Sequence, residues 1–248
     1  MKDETRENIE KILRSCVDRT LQRVQKDDTY RPFHEALLTK ELVMASAFER
    51  SFSTSFGQGP IEEISELLAS ANGYECERQK QTRVDIPKSV SDEITRILSA
   101  LRSGDSDPNW AKEVERVCAL KKGDRVTERV LSDLWMEKEN DEIFISIKTV
   151  KPNIDQSERA KRDMLLLKAH NSDYQTYLGL YYNPGGPKRN DYNWNVPSKI
   201  FNMKKDICVL IGEEYWEKIG GKGTYKSLLK IFEKVGNDTR KQLENISD

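Results

Sequence analysis

Apolar side chains recur at three- and four-residue intervals through most of the first 120 residues, the spacing of one helix face. In "RENIEKILRSCVDRTLQRVQ" the apolar positions are Ile9, Ile12, Leu13, Cys16, Val17, Leu21 and Val24. Pro32 permits a second helix, "FHEALLTKELVMASAFERSFSTSFG", closing near Gly57. "IEEISELLASA" reads as a third helix that stops at Asn72-Gly73, "SVSDEITRILSALRSG" as a fourth with Ser91 as cap, and "WAKEVERVCAL" as a short fifth. From about residue 129 the period falls to two. "RVLSDLWM", "EIFISIKT", "YQTYLGLYYN" and "DICVLIG" read as strands, with the helix "SERAKRDMLLLKAH" between the second and third and "TYKSLLKIFEKVG" as the closing helix. This order predicts an α/β fold: a mainly helical region over 1–120 packed on an α/β core over 121–248, together one compact domain.

The first two strands form a hairpin with charged residues where a sheet interior would be apolar. With the turn at Asn140-Asp141, Asp133 stands opposite Lys148 and Trp135 opposite Ser146. Side chains alternate along strands, so Asp133, Ser146 and Lys148 share one face, while Leu134, Met136, Ile145 and Ile147 share the other. A polar trio of this kind suits phosphodiester hydrolysis. An aspartate holds a divalent cation that polarises the phosphate and acidifies a water. A lysine orients that water or stabilises the developing charge. Magnesium needs few protein carboxylates, because it keeps waters and takes phosphate oxygens. The competing interpretation is a cross-strand ion pair on a solvated face.

Composition narrows the setting. The 248 residues are 36% hydrophobic and 33% charged, with formal net charge -1, so no global field draws in nucleic acid or membrane. An anion-binding surface must be local. Cys16, Cys76, Cys118 and Cys208 lack metal-ligand or redox spacing, and two histidines make a zinc site a poor expectation. The charged N-terminus lacks a signal-peptide core and no apolar run spans a bilayer, so a cytoplasmic protein with reduced thiols is expected.

Two segments supply local positive charge. Residues 148–168 hold six basic against three acidic side chains, with Arg159, Lys161, Arg162 and Asp163 clustered on the helix. Arginine reads guanine O6 and N7, and a carboxylate accepts from cytosine N4, so these residues suit a G·C-rich duplex. The loop "NPGGPKRNDYNWN" offers Lys188, Arg189, Asn190 and Tyr192 for backbone or groove contact, in a stretch (183–205) with five basic residues against one acidic. The alternatives are a solvated helix face with a Glu158–Arg162 pair, and a structural crossover with Trp194 buried. In the second helix Phe33, Leu37, Met44, Phe48, Phe52 and Phe56 make an apolar face with Glu41 inside it and Glu49 at its edge. A carboxylate there is costly unless paired or metal-bound, and Glu49 is the preferred candidate with Glu41 in reserve.

An acid on one strand followed by acid-x-Lys on the next resembles the PD-(D/E)xK nuclease core, with Ser132 in place of the usual proline and Ser146 in place of the second carboxylate. In a variant of that pattern the missing acid stands on the following helix, and Glu158 fits that position. A helix glutamate, here Glu49, supports the metal site in related nucleases. "FHEALLTKELVMASAFERSFSTSFG", "SIKTVKPNIDQSERAKRD", "LGLYYNPGGP" and "IGGKGTYKSLLKIFEKVG" together resemble the TdeIII family of type II restriction endonucleases, over roughly residues 30 to 236. The resemblance implies a Mg²⁺-dependent enzyme that cuts double-stranded DNA at a GGNCC-type palindrome and leaves 5′-phosphate and 3′-hydroxyl ends. It assigns metal binding to Asp133 and Glu158, water activation to Lys148 and an outer role to Glu49. A palindrome is read by two-fold symmetry, which implies a homodimer. The alternatives are a repair or junction nuclease on the same fold, or a non-catalytic DNA-binding protein on a decayed one.

Overall fold

The helical spacing of Ile9, Ile12, Leu13, Cys16 and Val17 becomes the buried face of α1 (Asp3–Gln25) in a computed structural model that describes residues 1–247. The expected second helix is two. α2 (Pro32–Leu37) ends where Leu38 turns extended, and Thr39 starts α3 (Lys40–Gln58) by accepting a hydrogen bond from the Leu42 amide. α4 (Pro60–Ala71), α5 (Lys88–Ser103) and α6 (Trp110–Cys118) follow the predicted periodicity. The sequence reading missed β1 (Glu75–Pro87), which lies inside the helical half. α8 (Glu213–Gly220) was likewise not anticipated.

β2 (Arg125–Lys138) and β3 (Asp141–Lys148) form the predicted hairpin, but its turn is one residue earlier. Glu139 and Asn140 both adopt positive φ, at 55° and 69°, as a two-residue primed turn requires. Lys138 therefore pairs with Asp141 and Leu134 with Ile145. The register shifts by two, an even number, so every side chain keeps its predicted face. The helix α7 (Ile154–His170), entered through an Asn153/Gln156 capping box, carries the chain to β4 (Gln175–Leu180), parallel to β3. β5 (Val209–Ile211) adds a second parallel strand, and α9 (Thr224–Ser247) ends the described chain.

The sheet order is β1-β2-β3-β4-β5, antiparallel on one side of β3 and parallel on the other. Helices cover both faces. Leu134, Met136, Ile143, Ile145 and Ile147 pack with α1, α4, α8 and α9. Trp135, Phe144, Val130, Val84 and Ile86 pack with α5, α6 and α7. Gly179 is the close-approach point of this assembly. A Cβ there would lie 2.6 Å from the ring of Tyr215, whose hydroxyl pairs with Ser65 Oγ of α4 at 2.7 Å.

Lys161 is at the centre of the α5–α7 layer and not on a DNA-facing surface. It is fully buried, donates to Glu113 Oε2 at 2.5 Å and lies over the Phe201 ring. α7 sits between the sheet and α6, so it is apolar on more than one side and the charge inside it needs a buried partner. Glu113→Ala should destabilise the fold by about 3–5 kcal/mol in urea denaturation, because it strands a buried ammonium. The double replacement Glu113→Leu/Lys161→Met should recover most of that loss. A single variant as stable as the parent would remove the pair from the core.

Candidate active site

β2 and β3 part at Asp133. Their pairing runs from Lys138–Asp141 to Leu134–Ile145 and stops there, one residue short of Asp133 and Ser146. In place of a further rung, Asp133 Oδ2 accepts the backbone amide of Ile147 at 2.7 Å. The same oxygen accepts from Lys148 Nζ at 2.8 Å and meets Ser146 Oγ at 3.5 Å. The carboxylate thus caps the fork and fixes the lysine, which also donates to the Ile147 carbonyl at 3.1 Å. Lys148 is the last residue of β3, at the carboxyl end of a strand that is parallel to β4, where open α/β sheets place their ligands. Asp133 and Lys148 are both largely buried yet reachable, with side chains 16% and 21% exposed.

Helices flank this pair on two sides. From α4, Glu62 Oε2 accepts from Gln79 Nε2 at 2.8 Å, and the same amide nitrogen lies 3.5 Å from Asp133 Oδ1. Burial raises the Glu62 carboxyl above its ordinary range; the Gln79 hydrogen bond opposes this and the charge of Asp133 adds to it. Gln79 reaches both acids from a strand position with φ of 53°, a conformation that costs a non-glycine residue roughly 1–2 kcal/mol. From α7, Asp163 is held with its side chain only 18% exposed. Burial pushes its carboxyl up to about 6, against the opposing pull of Arg162, Arg159 and Lys148 and with a further push from Asp133. Asp163 is therefore within electrostatic reach of both members of the pair. Neither Glu62 nor the placement of Asp163 near this pair was read from the sequence. Glu62 occupies an ordinary polar position of an amphipathic helix, and only the fold turns it toward Asp133.

The other expected residues are distributed differently. Glu158 is drawn to Arg102, whose guanidinium donates to it at 2.6 Å and to Asp155 at 3.0 Å. Asp163 stands five residues along the same helix. Glu49 is exposed and accepts from Ser53, its neighbour one turn on, and Glu41 is exposed as well. The face they were expected to share enters the core only at its Phe52–Phe56 end. Phe33 and Leu37 are 81% and 83% exposed, and only Phe56 is buried. Neither glutamate pays the desolvation cost that singled it out.

Arg162 is tied to Glu128 at 3.0 Å, whereas Arg159 is exposed beside Asp163. Both line a cavity of about 600 Å³ with Asp163, Glu158, Gln81 and Arg129. In the loop after β4, Tyr192 is buried and its hydroxyl donates to the Val150 carbonyl at 3.0 Å, so it packs the core and reaches no duplex. Arg189 fastens the same loop to β5, donating to Glu214 and to the carbonyls of Met203, Asp206 and Val209. Lys188 and Asn190 alone of the loop's expected set remain exposed.

The donor chemistry here is oxygen only. Among the described residues no three His, Cys, Asp or Glu side chains gather into a metal-holding group. Asp133 bonds Lys148, and Asp163 lies within electrostatic reach of both. A small hard cation that keeps its waters and takes phosphate oxygens needs no more than one or two carboxylates, so the residues present fit it.

Residues 1–236 match the family described as Type II restriction endonuclease, HinfI. The type II restriction enzyme HgiCII of Herpetosiphon aurantiacus is 27% identical over 228 residues, covering 89% of this chain and 82% of its own. HgiEI of the same organism matches to the same extent. MjaII of Methanocaldococcus jannaschii is 28% identical over 235 residues, 87% of this chain and 59% of its own. No solved structure matches. The resemblance read from the sequence holds at the level of the type II class, and the family matched is HinfI. The chain belongs to the HinfI family of type II restriction endonucleases, the site-specific deoxyribonucleases.

Proposed function

We propose that this protein is a Mg²⁺-dependent type II restriction endonuclease on a PD-(D/E)xK-like core, with Asp133, Lys148 and Asp163 as its catalytic group. The observation that carries this reading is the fork at Asp133, where one carboxylate binds the Ile147 amide and Lys148 at the carboxyl end of β3. Asp133 and Asp163 would hold the cation. Bound there, it supplies Lewis-acid polarisation of the scissile phosphate and a more acidic water. Lys148 orients that water and neutralises charge that develops on the phosphate. Glu62, joined through Gln79 to Asp133, orients the carboxylate from behind and is the outer acid in place of Glu49.

The substrate is a short G·C-rich palindrome in double-stranded DNA, of GGNCC type by the resemblance to the TdeIII family, cut to 5′-phosphate and 3′-hydroxyl ends. Arg159, exposed beside Asp163, is the base-reading candidate on α7. A palindrome calls for a homodimer, and the exposed apolar strip of Phe33, Leu37, Leu38 and Leu42 is the kind of surface a second copy covers. A cytoplasmic setting agrees with four free cysteines, and among the described residues no helix is long and apolar enough to cross a membrane.

Digestion of unmethylated phage DNA with magnesium, followed by end sequencing, should give discrete fragments with 5′-phosphates at one palindrome. A smear or random nicks would favour a repair-type nuclease, and tight binding without cleavage a decayed one. Lys148→Ala should lower the cleavage rate by about a thousandfold or more while DNA affinity changes by less than about 1 kcal/mol, since the amine acts in the transition state. Near-normal cleavage would remove Lys148 from the mechanism. Glu62→Gln should reduce cleavage by about 10–100-fold, the usual effect of a partner that orients a metal ligand, whereas Glu49→Gln should stay within about twofold. The reverse ranking would return the outer role to α3.

Asp163 also predicts a trade between stability and activity. Its folded carboxyl titrates at about 6, above the ordinary 3.8, so the folded state holds the proton more tightly than the unfolded chain. Its contribution favours folding below about pH 4 and is lost as pH rises through about 6. Asp163→Asn should therefore stabilise the metal-free protein by on the order of 1–2 kcal/mol at pH 7.5. The gain should vanish near pH 4, and cleavage should be abolished. A less stable variant at pH 7.5, or one that still cuts, would contradict this role.

A further inference from the structure

Beyond the point where β3 leaves, β1 and β2 continue alone. Residues 80–87 of β1 pair with residues 125–132 of β2, and β3 reaches β2 only at 134–138. This leaves a two-stranded antiparallel ribbon that ends at Asp133. One face of the ribbon is buried through Val84, Ile86 and Val130 against α5–α7. The other face carries Gln81, Arg83, Arg129 and Leu131, all exposed.

Arg83 and Arg129 are direct cross-strand partners. Like charges placed opposite one another in a sheet repel and destabilise it. Elsewhere around the sheet this protein neutralises its arginines: Arg125 with Asp85, Arg78 with Glu66 and Arg162 with Glu128. Among the described residues no carboxylate meets Arg83 or Arg129. Arg129 also lines the cavity shared with Arg159 and Asp163 of α7. It stands four residues before Asp133 on the same strand, about 13 Å at strand rise. Base pairs of a duplex are about 3.4 Å apart along the axis, so the two positions span about four of them. That is the reach of a short recognition site.

We propose that the β1–β2 ribbon is a backbone clamp for the DNA substrate, with Arg83 and Arg129 together neutralising phosphates a few base pairs from the scissile bond. The inference rests on the nuclease reading and adds an element that lies outside α7 and the loop after β4. Two guanidiniums on adjacent strands, neither held in an ion pair, fit phosphate oxygens. The sheet tolerates the repulsion because the duplex relieves it.

The test is a duplex-binding titration of the full-length protein without divalent cation, on a cognate and on an unrelated oligonucleotide, over a range of salt. Arg83→Ala and Arg129→Ala should each weaken binding about tenfold on both duplexes. Each should also make the dependence of log affinity on log salt shallower by about one. Arg83→Lys and Arg129→Lys should retain most of the affinity, because the charge is kept. The double Ala variant should melt no lower than the parent, which separates lost contact from lost fold. Unchanged affinity and salt slope in the double Ala variant would overturn the clamp, as would a loss confined to the cognate duplex with the slope intact. A parent protein that neither binds nor cuts DNA would instead overturn the nuclease reading on which the clamp rests.

Discussion

The arrangement of this site depends on one carboxylate oxygen. Asp133 Oδ2 takes the Ile147 amide at the point where two strands separate, and in the same act positions the Lys148 ammonium. A strand end with an unpaired amide is costly where water is scarce, so the carboxylate has a structural reason to stay put before any substrate arrives. Lys148, at the end of β3, turns its ammonium to Asp133 of β2 and to the Ile147 carbonyl. Removal of Asp133 would free the amide and the lysine together. The structural and chemical roles of the residue are therefore not separable by a single substitution.

The flanking acids follow from the packing of α4 and α7 on opposite faces of the sheet. α4 is keyed in place by Ser65, one turn from Glu62, which meets the Tyr215 hydroxyl, and Tyr215 fits only because Gly179 has no side chain. α7 is anchored by the buried Lys161–Glu113 pair, two residues from Asp163. A buried carboxylate at Asp163, positive φ at Gln79 and two facing arginines at 83 and 129 each lower stability locally. They cluster around one fork, and such a concentration of unfavourable choices is the mark of a functional surface on an otherwise consistent fold.

The sequence disclosed the hairpin faces because they depend on parity. Moving the turn by one residue moved the register by two, and Asp133, Ser146 and Lys148 stayed together. β1 was hidden because the strand is long but apolar only at one end. Val84 and Ile86 alternate with charged neighbours, while "CERQKQ" carries almost no apolar signal. α7 misled in the opposite direction. Its charges read as a DNA-facing surface with a metal-binding Glu158, yet Lys161 is enclosed by Glu113 and Phe201, and Glu158 is claimed by Arg102 from a distant helix. Partners far apart in sequence decide which charge faces the cleft, and spacing along one helix carries no trace of them. The same holds for Arg189 and Tyr192, which the loop uses to fasten itself to β5 and to residue 150.

The most direct test of the central claim is anomalous diffraction from crystals grown with manganese and a cognate duplex. The expected result is a cation bonded to Asp133 and Asp163 and to an oxygen of the scissile phosphate, with Lys148 Nζ in hydrogen-bond range of the attacking water. A cation seated on Glu158 or Glu49, with Asp133 still bound only to Lys148 and the Ile147 amide, would contradict it.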